Sequence, residues 1–151
     1  METEKSCILS LSRPEEVEMI TRISVKAFHS DSLLGVDPND GPPDYDSLKW
    51  HEKMQKENHL YSFFNESGRI IGGAILFASE EMVYIGRIFV SPEYHRQGYG
   101  IKMMTEIENL FPSTMLFKLD TPVNNIRTNS FYQKLGYVQS GINDDCAVYI
   151  K

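Results

Sequence analysis

The chain shows two hydrophobic rhythms, and its clearest change from one to the other falls between residues 82 and 111. Residues 82–90 read Met-Val-Tyr-Ile-Gly-Arg-Ile-Phe-Val, β-branched or aromatic at most positions and apolar on both alternating faces, as in a central strand covered on both sides. Pro92 stops that ladder. From there the apolar positions recur at Ile101, Met104, Ile107, Leu110 and Phe111, a helical stripe that Pro112 closes. Upstream, residues 6–11 read as a first strand, and Ser12 with Glu15 fits a capping box opening a helix that runs to about Phe28. Its core face is Val17, Ile20, Ile23 and Ala27, which leaves Glu16, Glu18, Arg22 and Lys26 in water. Residues 45–56 suit a short helix carrying Trp50, His51 and Met54.

Strands are expected at 60–64 and 70–77, joined by the hairpin turn Asn65-Glu-Ser-Gly68, and Glu80-Glu81 turns the chain into the strand at 82–90. Residues 114–119 read as a further strand and 120–125 as a loop. Thr128, Phe131, Tyr132 and Leu135 then fall at helical spacing, with Gly136 where a left-handed C-cap belongs. Strands in series, joined by short turns and leading into one strand–helix crossover, indicate a mixed sheet with helices rather than a strictly alternating fold.

Composition narrows the class. A chain of 151 residues with 41% hydrophobic content is expected to form one domain with a real core. Its net charge of −6 argues against nucleic acid as a partner, since phosphate backbones demand a basic face. No run approaches membrane-spanning length, and the start Met-Glu-Thr-Glu-Lys lacks the apolar core of a signal peptide, so a cytoplasmic protein is expected. Cys7 and Cys146, without a metal spacing or a redox pair, read as reduced core thiols, and no metal site is expected. Residues 31–48 hold five aspartates (Asp31, Asp37, Asp40, Asp44, Asp46), two glycines, three prolines and no Lys or Arg. That stretch is either a solvated surface loop or a wall that attracts a cationic substrate such as an amine.

Between strand and helix, Gly98 and Gly100 stand at a helix mouth, preceded by His95 and Arg96. The first N–H groups of a helix lack intrahelical partners and sit at the positive end of its dipole, so a phosphate can accept from them where glycines let it approach. By itself this is either an anion site or plain turn chemistry. A dinucleotide fingerprint would need a third glycine where Met103 stands, and a Walker loop would need Gly-Lys-Ser/Thr. Asn125 and Tyr132 lie two helical turns apart and project from one side, either towards one extended ligand or as an N-cap and a core aromatic.

Together, Val90-Ser-Pro-Glu-Tyr-His-Arg-Gln-Gly98-Tyr-Gly100 and, some twenty-five residues on, Asn125-Ile-Arg-Thr-Asn-Ser-Phe-Tyr132-Gln-Lys-Leu-Gly136-Tyr137 resemble, in order and spacing, the acyl-coenzyme A loop and second motif of the GNAT family of N-acetyltransferases. The resemblance is clear from about Leu60 to Gly141. His95 stands where the family has Gln or Arg, and Thr128 replaces a usual Ala.

The resemblance implies an α/β fold with a GNAT-type mixed, mostly antiparallel central sheet flanked by helices, in a single domain spanning residues 1–151. It implies acetyl-CoA as co-substrate. In such enzymes the strand ending at Val90 splays from its neighbour, and main-chain groups at Ile88, Phe89 and Val90 bind the pantetheine arm and polarise the thioester carbonyl. The loop of His95, Arg96, Gln97, Gly98, Tyr99, Gly100 and Ile101 holds the pyrophosphate, Asn125 meets the pantetheine arm, and Tyr132 gives its proton to the sulfur. A phenol of pKa about 10 stays protonated while a thiolate of pKa about 8.5 departs, so the last role is chemically reasonable. The amine must also lose a proton. The strand interior carries no carboxylate, leaving Glu81, Asp46, His51, Tyr84 or a water chain as the base. The expectation is an N-acetyltransferase acting on a small amine or an amino terminus, with a homodimer left open. Its rivals are a catalytically idle acyl-CoA-binding regulatory module and a purely structural interaction domain.

Overall fold

The computed structural model describes residues 6–30, 42–114 and 116–151. Asp31, Asp37 and Asp40 of the acidic stretch lie outside them. The elements run β1 (Ile8–Leu11), α1 (Val17–Ser30), α2 (Leu48–Lys56), β2 (Leu60–Phe64), β3 (Ile70–Ala78), β4 (Met82–Val90), α3 (Tyr99–Leu110), β5 (Leu116–Pro122), α4 (Ile126–Lys134), β6 (Val138–Asn143) and β7 (Cys146–Ile150). The strands form one seven-stranded sheet in the order β1-β2-β3-β4-β5-β7-β6. The β1–β2, β2–β3, β5–β7 and β6–β7 ladders are antiparallel, and β4–β5 is parallel, as a connection through α3 requires. This is the mixed, mostly antiparallel architecture that the motif order implied.

The chain divides into two compact units: Met1–Ile75 with Arg87–Ile107, and Leu76–Gly86 with Glu108–Lys151. In the first, α1 lays Val17, Ile20, Ile23 and Ala27 against Met54, Leu60, Ile75 and Phe89, all buried, confirming the expected helix face. Gly72 of β3 belongs to the same packing. A Cβ there would stand 2.4 Å from the carbonyl oxygen of Phe89, so only glycine permits this approach. In the second unit Leu119, Tyr137, Ala147 and Tyr149 are buried, and Glu108 receives both the Tyr137 hydroxyl and Lys151 Nζ.

Several local expectations need correction. The helix-opening box is shifted by one residue: Arg13 N–H donates to Glu16 Oε1 at 2.9 Å, while the Ser12 hydroxyl pairs with Ser62 at 2.7 Å. Glu16 is therefore buried rather than in water, and Ser62 also donates to it. Ser47 caps α2 by accepting from Trp50 N–H, so that helix begins at Leu48 rather than Tyr45. Helix α3 starts at Tyr99 and buries Met103, Met104 and Ile107, while Ile101 and Leu110 are exposed. Its first turn follows Gly98 directly, which turns Ile101 off the core face. Strand β5 continues through Asp120 to Pro122, because β7 pairs with it over that length. Cys7 is buried, whereas Cys146 is only half-buried.

Candidate functional site

Val90 ends β4, and Pro92–Tyr94 form a single 3-10 turn. Arg96 (φ 62°) and Gly98 (φ 82°) then take left-handed backbone, folding residues 95–98 into a tight loop that opens into α3. The Lys102 N–H donates to the Gly98 carbonyl at 3.2 Å, closing the first helical turn. The N–H groups of Tyr99, Gly100 and Ile101 precede that bond and have no acceptor within their own helix. A Cβ added at Gly98 would meet nothing within 4 Å, so the glycine faces open space. Backbone donors at a helix mouth beside an open face have the chemistry to receive an anion.

The loop's side chains largely hold the loop. His95 Nε2 lies 2.6 Å from the Val90 carbonyl, which is only an acceptor, so that nitrogen donates and ties the loop back to β4. Gln97 donates to the Glu93 carbonyl. The Tyr99 hydroxyl donates to Glu66 Oε2 at 2.8 Å, and Lys102 Nζ donates to Glu66 Oε1 at 2.9 Å. These bonds hold the Glu66 carboxyl down at about 2, with the lysine as the largest cause. Glu66 sits in the β2–β3 turn, and no periodicity in the sequence marked it. The remaining polar side chain of the loop, Arg96, is exposed.

Ile88, Phe89 and Val90 form the end of β4, beyond the β4–β5 ladder, which among the described residues pairs Met82, Val83 and Tyr84. The Phe89 side chain is core, so any contact with a ligand there falls to the main chain.

Asn125 and Tyr132 belong to the second unit. Asn125 caps α4, its Oδ1 accepting from Thr128 N–H at 3.2 Å. Thr128 couples that helix to β5 through its hydroxyl, 2.7 Å from the Thr121 hydroxyl. Tyr132 is 8% exposed, its ring lying edge-on to Tyr137 and tilted against Tyr149. Burial pushes its phenol well above the ordinary tyrosine value.

Of the residues weighed as bases, Tyr84 already donates to Asp120, and burial with that carboxylate drives its phenol far up. Glu81 and Asp46 are exposed. His51 is fully buried beside Trp50; its Nδ1 lies 2.7 Å from the Ser47 carbonyl and its Nε2 has no partner among the described residues. Arg87, in the interior of β4, stacks over Trp50 at 4.4 Å. Among the described residues no helix is long and apolar enough to cross a membrane.

The acetyltransferase (GNAT) family profile matches residues 19–137. A GNAT-family acetyltransferase structure from Streptococcus agalactiae 2603 aligns with TM-score 0.83 over 96% of this chain and 94% of its own, at 16% identity. One from Listeria monocytogenes 4b F2365 aligns with TM-score 0.79 over 96% and 94%, at 18% identity. The PaiA N-acetyltransferase of Thermoplasma acidophilum, solved in complex with coenzyme A, aligns with TM-score 0.77 over 97% and 98%, at 16% identity. In sequence, the chain is 33% identical over 75 residues to the uncharacterized protein YrkN of Bacillus subtilis (strain 168), a match covering 48% of this chain and 40% of that protein's length. A profile match across most of the chain, joined to the same fold in three solved acetyltransferases, shows that this chain belongs to the acetyltransferase (GNAT) family.

Proposed function

We propose that this protein transfers an acetyl group from acetyl-CoA to a primary amine of a small molecule, a peptide or a protein. The observation that carries the reading is the helix mouth after Gly98, where the first backbone N–H groups of α3 lack an acceptor in their own helix beside a glycine whose side-chain position is open. That geometry fits a pyrophosphate, and a similar fold is known with coenzyme A bound. Acetyl-CoA, when bound, supplies the activated acyl group as a thioester.

The chain's own residues supply the rest. Backbone donors from Gly98 to Ile101 hold phosphate oxygens, and His95 fixes the loop rather than reaching into it. The main chain of Ile88 to Val90 lines the acyl arm. Asn125 retains its Nδ2 group to meet that arm while Oδ1 caps α4. Tyr132 acts as the acid. Its raised pKa keeps the phenol protonated at neutral pH, and it stabilises a departing thiolate by hydrogen-bond donation rather than full transfer, since a thiol of pKa about 8.5 is the stronger acid. A cytoplasmic setting fits this use of acetyl-CoA.

One observation favours the rival reading of an idle acyl-CoA-binding regulatory module: the β4 interior carries no carboxylate base. Purified protein with acetyl-CoA and a panel of amines, followed by thiol release, separates the two. Amine-dependent release supports the transferase. Stabilisation by acetyl-CoA without release from any amine supports the module, and absence of both supports a structural domain.

A further inference from the structure

The first unit holds a charged group that the proposed reaction leaves unused. Arg87 projects from β4 immediately before Ile88. Its guanidinium carbon lies over the Trp50 ring, 4.4 Å from the ring centre, and Nη2 donates to the Pro43 carbonyl. Nη1 is buried and has no partner among the described residues. The Asp44 charge acts on the guanidinium, yet no carboxylate among the described residues is within ion-pair reach of it. Leaving a buried charged donor unpaired is costly, and a planar guanidinium held by stacking is preorganised for a carboxylate.

A second orphan lies against the same indole. The His51 ring sits edge-on to Trp50 at 5.0 Å. The Ser47 carbonyl can only accept, so Nδ1 carries the proton and Nε2 presents a lone pair, fully buried and unpartnered. An unpaired donor and an unpaired acceptor around one aromatic ring call for a ligand carrying both complements.

We propose that Arg87 binds the carboxylate of the acceptor, so that the amine acetylated is that of an amino acid, with His51 Nε2 accepting from its nitrogen. This rests on the acetyltransferase reading and narrows the acceptor from an amine in general to an amino acid. Uncharged amines and polyamines satisfy His51 but leave Arg87 unpaired; simple carboxylates do the reverse.

The test uses two readouts. Trp50 is the chain's single tryptophan, so its fluorescence reports ligands at Arg87 directly. The common L-amino acids are titrated against their carboxamides with and without coenzyme A, and the same pairs are assayed for acetyl-CoA-dependent thiol release, using wild type, R87K and R87Q. At least one amino acid should saturate the Trp50 signal and bind roughly tenfold or more tightly than its carboxamide, as a lost charge-assisted hydrogen bond implies. R87Q should erase that preference and R87K retain part of it. Amides binding as well as acids, a preference that survives R87Q, or no amino acid changing the signal would each overturn the proposal. An acid preference in binding without acetylation of any amine would uphold the Arg87 site and remove the acetyltransferase reading instead.

Discussion

Lys102 Nζ donates to Glu66 Oε1 across 2.9 Å, joining the first turn of α3 to the turn between β2 and β3. The Tyr99 hydroxyl takes the other oxygen of the same carboxylate, so one side chain fixes two residues of the helix mouth. The helix mouth is held from outside the loop that precedes it.

Folding lowers the Glu66 carboxyl from its ordinary value of 4.5 to about 2. A depressed acid contributes stability that is fully present above the unfolded value and lost as pH falls through the folded one. Wild type should therefore melt above Glu66→Gln at pH 7, and the gap should close between about pH 5 and pH 2. Melting temperatures of both proteins across that range check this; a gap independent of pH would mean that the carboxylate charge is not what anchors α3.

His51 runs in the opposite sense. Burial, with the Arg87 charge adding to it, lowers the imidazole below 6.5 and keeps it neutral in the folded state. The unfolded chain then takes up the extra proton, so stability is full above about pH 6.5 and falls below it. Denaturation of wild type and His51→Gln between pH 8 and pH 5 should show a shallower decline for the variant.

Gly72→Ala should cost about 1–3 kcal/mol, because the new methyl meets a backbone oxygen that cannot rotate aside. Urea unfolding measures it. A cost near zero would show that β3 and β4 part freely there.

Gly98→Val meets open space, so its stability cost should be limited to about 1–2 kcal/mol for a branched residue at positive φ. Its coenzyme A affinity should fall about tenfold or more, measured by calorimetry on the folded variant. Unchanged affinity would place the pyrophosphate elsewhere.

Tyr132→Phe should lower turnover about a hundredfold, within the usual range for a lost acid, while leaving coenzyme A affinity nearly intact. Equal turnover would remove Tyr132 as the acid.

Much of this was legible in one dimension. Strand β4 matches its expected bounds because β-branched and aromatic residues dominate up to a proline, and the α1 core face matches because Val17, Ile20, Ile23 and Ala27 fall three or four residues apart, on one side of the helix. Strand β6 gave no signal: all six residues are exposed, Val138 at 65% and Ile142 at 68%, so burial imposed no alternation. The Ser12 error had a similar origin. A serine three residues before a glutamate suits a cap, but the Ser62 hydroxyl, fifty residues away, claimed it first.

The sequence by itself determined most of the elements, the glycine loop at a helix mouth and the paired motifs, because these depend on spacing along the backbone. Only the tertiary structure decided which side chains serve the loop. His95 turned back to Val90, Glu66 seized Tyr99 and Lys102, and Arg87 came to rest on Trp50 with a hydrogen-bond donor left over. Each is a contact between residues distant in the chain or between a side chain and backbone in a folded loop. Such partners are chosen by which polar groups remain unsatisfied once the core has closed, and no local pattern records that choice.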